Sequence, residues 1–158
     1  MKPFIICVDD QQEVLNALVR DLEPLAGYFE IECCESADEV LELMESLDAK
    51  GEVVGLVISD HRMPEKTGLS LLTTLHTDAR FNKTKKIMLT GQASHEDTIK
   101  AINNAKIDAY ISKPWTQEGL NATVINVLTH FLFDQGLYCS EYLAICDQDV
   151  VLARLHQS

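Results

Sequence analysis

A chain of 158 residues, 46% hydrophobic and 24% charged, is long enough for one domain with a continuous apolar core, which argues against disorder. Its net charge of −12 argues against direct nucleic-acid binding, because an acidic surface repels the phosphate backbone. The charge is uneven: residues 1–79 hold 17 acids and 5 bases, and residues 80–158 hold 8 of each. No apolar stretch approaches the ~20 residues that a membrane helix needs, so no membrane association is expected.

Residues 4–8 form a compact apolar run that ends at Asp9-Asp10 and reads as a strand. Residues 11–26 have helical spacing, with Val14, Leu15, Leu18, Val19 and Leu22 on one face and Gly27 as the stop. Residues 28–34 read as a second strand. Ser36 caps the next helix, with Glu39 at the capping-box spacing, and Val40, Leu41, Leu43, Met44 and Leu47 continue it. Residues 53–59 are nearly all apolar, as in a parallel strand buried on both faces. Residues 61–67 contain Pro64 and read as a loop, and residues 68–77 read as a helix. A fourth strand spans 86–90, and a helix opening at Ser94 or His95 runs to about Asn104. A fifth strand spans 107–112, and a fifth helix spans 116–133, with Glu118 near its start.

Five repeats of strand then helix predict a doubly wound α/β domain with a parallel sheet and helices on both faces. Right-handed crossovers restrict the topology, but several strand orders remain open on pattern alone. Residues 134–158 lie beyond the repeats, separated by Gly136. Tyr138, Tyr142, Ile145, Val150, Leu152 and Leu155 suggest a helical extension that packs on the fifth helix or forms a homodimer contact.

The five cysteines are Cys7, Cys33, Cys34, Cys139 and Cys146, an odd count without a CxxC pair. With no signal peptide visible after Met1, the expectation is a cytoplasmic protein with free thiols. Cys7 and Cys33 read as small core hydrophobes, with a redox role for Cys33–Cys34 as the minor alternative. The histidines His61, His76, His95, His130 and His156 show no zinc-like spacing. The basic run Arg80, Lys83, Lys85, Lys86 reads as a solvated loop.

In an open parallel sheet, ligands bind beyond the carboxyl ends of the strands. The predicted strands end at Asp9-Asp10, Asp60, Thr90 and Lys113-Pro114, so three carboxylates, a hydroxyl and an ammonium are expected on one rim. Carboxylates that close raise one another's pKa values, and a hard divalent cation such as Mg²⁺ relieves the repulsion. A lysine and a hydroxyl beside that cation suit the oxygens of a phosphoryl group, and a carboxylate is itself a competent nucleophile. The constellation therefore suggests phosphoryl transfer to an aspartate.

Asp9-Asp10 after a strand, then VISDHRMPEKTG, LTG and YISKP, resembles in order and spacing the receiver domains of bacterial two-component response regulators (CheY-like). The resemblance covers residues 3–133, taken as a receiver domain spanning 1–133, with 134–158 as the extension. It implies the flavodoxin-like strand order 2-1-3-4-5. It implies that Asp60 is the phosphoacceptor and that Mg²⁺ is held by Asp10 directly, by Asp9 through water, by Asp60 and by the backbone carbonyl of Arg62. Lys113 would pair with one phosphoryl oxygen, and Thr90 would bond another and move on phosphorylation. Tyr110 stands at the switch-aromatic position. A cis Lys113–Pro114 bond is expected, Gly91 leaves the site open to a donor, and Gly68 lies close to the active-site loop.

The implied function is regulatory and not enzymatic in the metabolic sense. A histidine kinase or a histidine phosphotransfer protein would be the donor, and an effector protein or an output domain outside this chain would be the target. Arg62 and Gln92 depart from the commonest pattern at positions flanking the phosphoryl group, and Trp115 occurs in some receivers that control second-messenger enzymes. Two rival readings are a phosphorylation-independent interaction module and a Mg²⁺-dependent phosphatase with an aspartyl nucleophile.

Overall fold

The computed structural model describes residues 2–91 and 105–157. Five strands, β1 (Phe4–Val8), β2 (Glu30–Cys34), β3 (Val54–Asp60), β4 (Lys85–Thr90) and β5 (Ala109–Ser112), form one sheet in the order β2-β1-β3-β4-β5. Every strand pair is parallel. Around the sheet lie α1 (Gln12–Asp21), α2 (Ala37–Ala49), α3 (Gly68–Thr77), α4 (Gln117–Asp134) and, beyond the last repeat, α5 (Gln148–His156). The helix expected over 94–104 lies outside the described residues. The strand order reverses between β1 and β3, which opens a crevice at their carboxyl ends.

β3 is central, and all seven of its residues are buried. Alternate strand residues serve two cores. Ile5, Cys7, Leu56, Ile58, Ile87 and Leu89 pack with Leu15 and Leu18 of α1 and with Val124, Leu128 and Phe131 of α4. Ile6, Val8, Val57 and Met88 pack with Val40, Met44 and Leu47 of α2 and with Leu71, Leu72 and Leu75 of α3. Helix starts are fixed by side-chain caps at Ser36, Thr67, Thr116 and Asp147. Glu39 reaches back to the Glu35 N–H (2.7 Å), one residue earlier than in the usual capping box. The first helix is shorter than its apolar period suggested. Pro24 has no N–H to continue the ladder, and Glu23–Leu25 forms a 3₁₀ turn instead.

The extension packs on α4. Gly136 has φ +67°, a left-handed conformation that suits glycine, and there α4 ends. The Gly136 N–H donates to Phe133 O (3.1 Å) and the Leu137 N–H to Leu132 O (2.8 Å), a Schellman ending that turns the chain back. Tyr138 then stacks on Phe133 (4.4 Å between ring centroids), and Tyr142 stacks on Phe29 (5.8 Å). Tyr142, Cys146 and Val151 join the core shared by α1 and α4. Thr129 accepts the Asp147 N–H (3.0 Å), and this bond sets the rotation of α5. Leu152 and Leu155, expected on the packed face, are therefore 57% and 53% exposed, and Val151 is the buried residue of the helix.

Arg154 of α5 reaches Asp134 (2.9 Å) and His130 Nδ1 (2.8 Å), while Lys85 holds the other oxygen of Asp134 (2.9 Å). A guanidinium only donates, so Nδ1 of His130 accepts. Burial works against ionisation of Asp134, but Lys85 and Arg154 outweigh it and hold the carboxyl below its usual 3.8. A lowered carboxyl contributes stability that is present above the unfolded value and lost as pH falls through the folded one. Wild type is expected to exceed Asp134→Asn in urea-unfolding stability at neutral pH, and the gap to close below pH 3.8.

Candidate functional site

The carboxyl ends of β1, β3, β4 and β5 share one rim, and the predicted residues meet there. Asp9 follows β1 and is fully buried. Its Oδ1 accepts the Gln11 N–H (2.9 Å) and its Oδ2 accepts from Lys113 Nζ (3.0 Å). Asp10 is exposed beside it. Asp60 ends β3, is 7% exposed, and accepts from the same Lys113 Nζ at 2.8 Å. One carboxylate oxygen from each of Asp9, Asp10 and Asp60 lies within 4.8 Å of the others. Thr90 ends β4 and is buried, and its carbonyl accepts the Lys113 N–H (2.9 Å). The Lys113–Pro114 bond is cis.

These groups open onto a cavity of about 440 Å³ lined by Asp10, Gln11, Asp60, His61, Arg62, Thr90, Gly91 and Lys113. A water in the liquid occupies about 30 Å³, so a tetrahedral anion fits together with several waters. Among the described residues, a Cβ on Gly91 would meet nothing within 4 Å.

Burial pushes the Asp9 carboxyl up, and the Asp60 charge adds to this against the opposing bonds from Gln11 and Lys113. Burial also opposes the Lys113 ammonium, but its bonds to Asp60 and Asp9 outweigh that, and its pKa rises. Among the described residues, the one cation bonded to the three-carboxylate cluster is the Lys113 ammonium. A set of hard carboxylate oxygens at this spacing is what a small divalent cation such as Mg²⁺ takes. The donor set therefore fits that ion.

The remaining predicted residues are placed less directly. The Arg62 side chain is exposed at the cavity wall. Tyr110 is half-buried on β5, packed against the core under α2 and α3, and does not line the cavity. Gln92 lies outside the described residues. The indole Nε1 of Trp115 donates to Asp21 (2.9 Å), tying the approach to α4 onto the end of α1.

Two contributors were not anticipated. The Gln11 amide orients Asp9, and the only cue was its position just after the acidic pair. Ser59 is buried and donates to the Asp60 carbonyl (2.9 Å). Its cue was a lone hydroxyl in an apolar run. Gly68 was expected near the loop, but its contact is tighter than expected: a Cβ there would overlap the Asp60 carbonyl oxygen.

The family described as "Response regulator receiver domain" matches residues 5–125. The chain is 31% identical over 124 residues to chemotaxis protein CheY1 of Helicobacter pylori, covering 78% of this chain and 95% of that protein. It is 32% identical over 123 residues to the hydrogenase transcriptional regulatory protein HoxA of Bradyrhizobium diazoefficiens, covering 76% of this chain but 23% of HoxA. It is 31% identical to the response regulator Rre1 of Synechocystis, covering 78% of this chain and 51% of Rre1. It thus spans about a quarter of HoxA and about half of Rre1. Among solved structures, the signal receiver domain of an HD domain-containing protein from Pseudomonas fluorescens superposes with a TM-score of 0.73 at 32% identity, covering 83% of this chain and 98% of that one. A CheY-like receiver domain from Methanospirillum hungatei gives 0.70 at 30% identity, covering 83% and 97%. With the family matched over most of its length and the strand order and acidic rim in place, the chain belongs to the response regulator receiver domains of two-component signalling.

Proposed function

We propose that this receiver domain takes a phosphoryl group onto Asp60 in the presence of Mg²⁺, and that the modification alters a partner-binding surface. The observation that carries the reading is Lys113 Nζ bridging Asp9 and Asp60 (3.0 and 2.8 Å) at the edge of the three-carboxylate cluster. A bound Mg²⁺ would be held by Asp10, Asp60, the Arg62 carbonyl and, through water, Asp9, and it supplies charge neutralisation for phosphoryl oxygens. The Asp60 carboxylate attacks phosphorus in line with the leaving group. The new O–P bond forms as the P–N bond of a donor phosphohistidine breaks, and the electron pair returns to the imidazole nitrogen. Lys113 is already within bonding distance of the acceptor and follows a phosphoryl oxygen. The Thr90 hydroxyl, on the cavity wall, takes another oxygen. Tyr110, two strand positions from Ser112 in the pair Thr90↔Ser112, is the switch residue that responds to a shift of Thr90.

The donor under this reading is a histidine kinase or a histidine phosphotransfer protein. The target is an effector protein or an output domain, and the names of the HoxA and Rre1 relatives support a regulatory output. Incubation with acetyl phosphate and Mg²⁺, followed by intact mass measurement, tests the proposal. One added phosphoryl per chain that persists long enough to be weighed supports it. An unmodified chain, or multiple turnover on phosphate esters, contradicts it.

Two residues set the kinetics. Lys113→Ala is expected to slow phosphoryl uptake by about 100-fold, as when one preorganised donor is removed from a developing charge. Time courses with acetyl phosphate measure it. The exposed Arg62 lines the cavity, and if it shields the phosphoryl group, Arg62→Ala is expected to hasten loss of that group to water. Decay of the modified protein after donor removal measures that, and an unchanged rate rejects the shielding role.

A further inference from the structure

Cys33 is exposed, against the expectation of a small core hydrophobe. It stands on the edge strand β2, and its register partner on β1 is Cys7. Partners on neighbouring parallel strands project to the same face, and their backbones lie about 4.8 Å apart. That spacing falls within the roughly 4.4–6.8 Å that a disulfide spans between Cα atoms. Cys7 is fully buried in the core under α1 and α4. Cys34 points the other way, into the core under α2. Consecutive strand residues face opposite sides, so Cys33–Cys34 is not the pair that the fold brings together.

We propose that Cys33 and Cys7 form a peroxide-responsive thiol pair, with Cys33 the attacking and Cys7 the resolving thiol. Accessibility supports the assignment of roles: Cys33 meets solvent and Cys7 does not. Beside Cys7 the Cys33 thiol is held below its ordinary value, at about 7, against burial and the nearby Glu32 charge. The Cys33 thiolate attacks one oxygen of hydrogen peroxide. The S–O bond forms, the O–O bond breaks, and the departing hydroxide takes a proton to become water. Cys7 sulfur then attacks the sulfenic sulfur of Cys33. The S–S bond forms, the S–O bond breaks, and the second hydroxide leaves as water with the Cys7 proton. Two thiols lose two electrons, which the peroxide accepts. The product is a covalent tie between β1 and β2, just before Asp9, whose N–H already bonds the Cys34 carbonyl (3.2 Å).

The full reduced chain provides its own control, because Cys139 is also exposed. At neutral pH, limiting iodoacetamide is expected to label Cys33 several-fold faster than Cys139. Hydrogen peroxide is expected to remove two thiols and yield a dithiothreitol-reversible Cys7–Cys33 link, assigned by tandem mass spectrometry of the joined peptides. Cys33→Ser, a change at an exposed position, is expected to leave Cys7 unoxidised. Labelling of Cys139 at an equal or greater rate, a link from Cys33 to Cys34, or Cys33 oxidised with Cys7 still free would each overturn the proposal.

Discussion

Asp60→Asn is expected to abolish phosphoryl uptake while the domain stays folded. An amide nitrogen has no free charge with which to attack phosphorus, whereas the retained Oδ1 can still accept from Lys113, now 2.8 Å away. The side chain is nearly isosteric, and the change removes one charge from a crowded acidic cluster. Stability should shift by no more than about 1–2 kcal/mol in the absence of metal. Intact mass after acetyl phosphate treatment, beside a thermal unfolding curve, measures both halves. A phosphoryl group on the variant would move the acceptor elsewhere, with Asp10 and His61 the other groups at the cavity wall to examine.

Gly68→Ala is expected to be the most damaging single-methyl change in the domain, costing about 3 kcal/mol. The added carbon would overlap the Asp60 carbonyl oxygen and press on Ser59 Oγ (2.9 Å). Neither neighbour can yield cheaply. Asp60 is the last residue of the central strand, and Ser59 is buried and bonded to that same carbonyl. Gly68 also donates its N–H to the His61 carbonyl (3.0 Å), closing the loop between β3 and α3. The damage therefore falls on the acceptor as well as on stability. Urea unfolding and acetyl phosphate uptake should both decline, whereas Gly91→Ala, whose added carbon meets no described residue within 4 Å, should leave stability unchanged.

The elements that were legible in the sequence are those whose burial leaves a simple pattern. β3 is enclosed on both faces, so its residues read as one apolar run, and α3 begins and ends at the residues its pattern indicated. The acids at the ends of β1 and β3 stood out because they interrupt such runs. The strand order was not in the periodicity. It came with the motif resemblance, because pattern alone leaves crossovers of either length open.

Features that depend on tertiary neighbours were misread or missed. Cys33 reads like Cys7, yet it lies on an edge strand and is open to solvent. Leu152 and Leu155 fit an amphipathic face, but the Asp147–Thr129 bond rotates α5 so that Val151 and Arg154 face inward instead. Within the site, the carboxylates and the lysine were visible one by one. That a single Lys113 nitrogen joins Asp9 to Asp60 follows only from folding residues 104 positions apart onto one rim.

The amide spectrum of the uniformly ¹⁵N-labelled chain, followed as Mg²⁺ is added and then beryllofluoride, tests the convergence of these carboxylates most directly. Mg²⁺ alone should move signals centred on Asp9, Asp10, Asp60 and Arg62. Beryllofluoride should extend the changes to Thr90, Tyr110 and Lys113, and Asp10→Asn should suppress the first step. A Mg²⁺ response centred elsewhere, or none up to roughly 10 mM, would contradict the account.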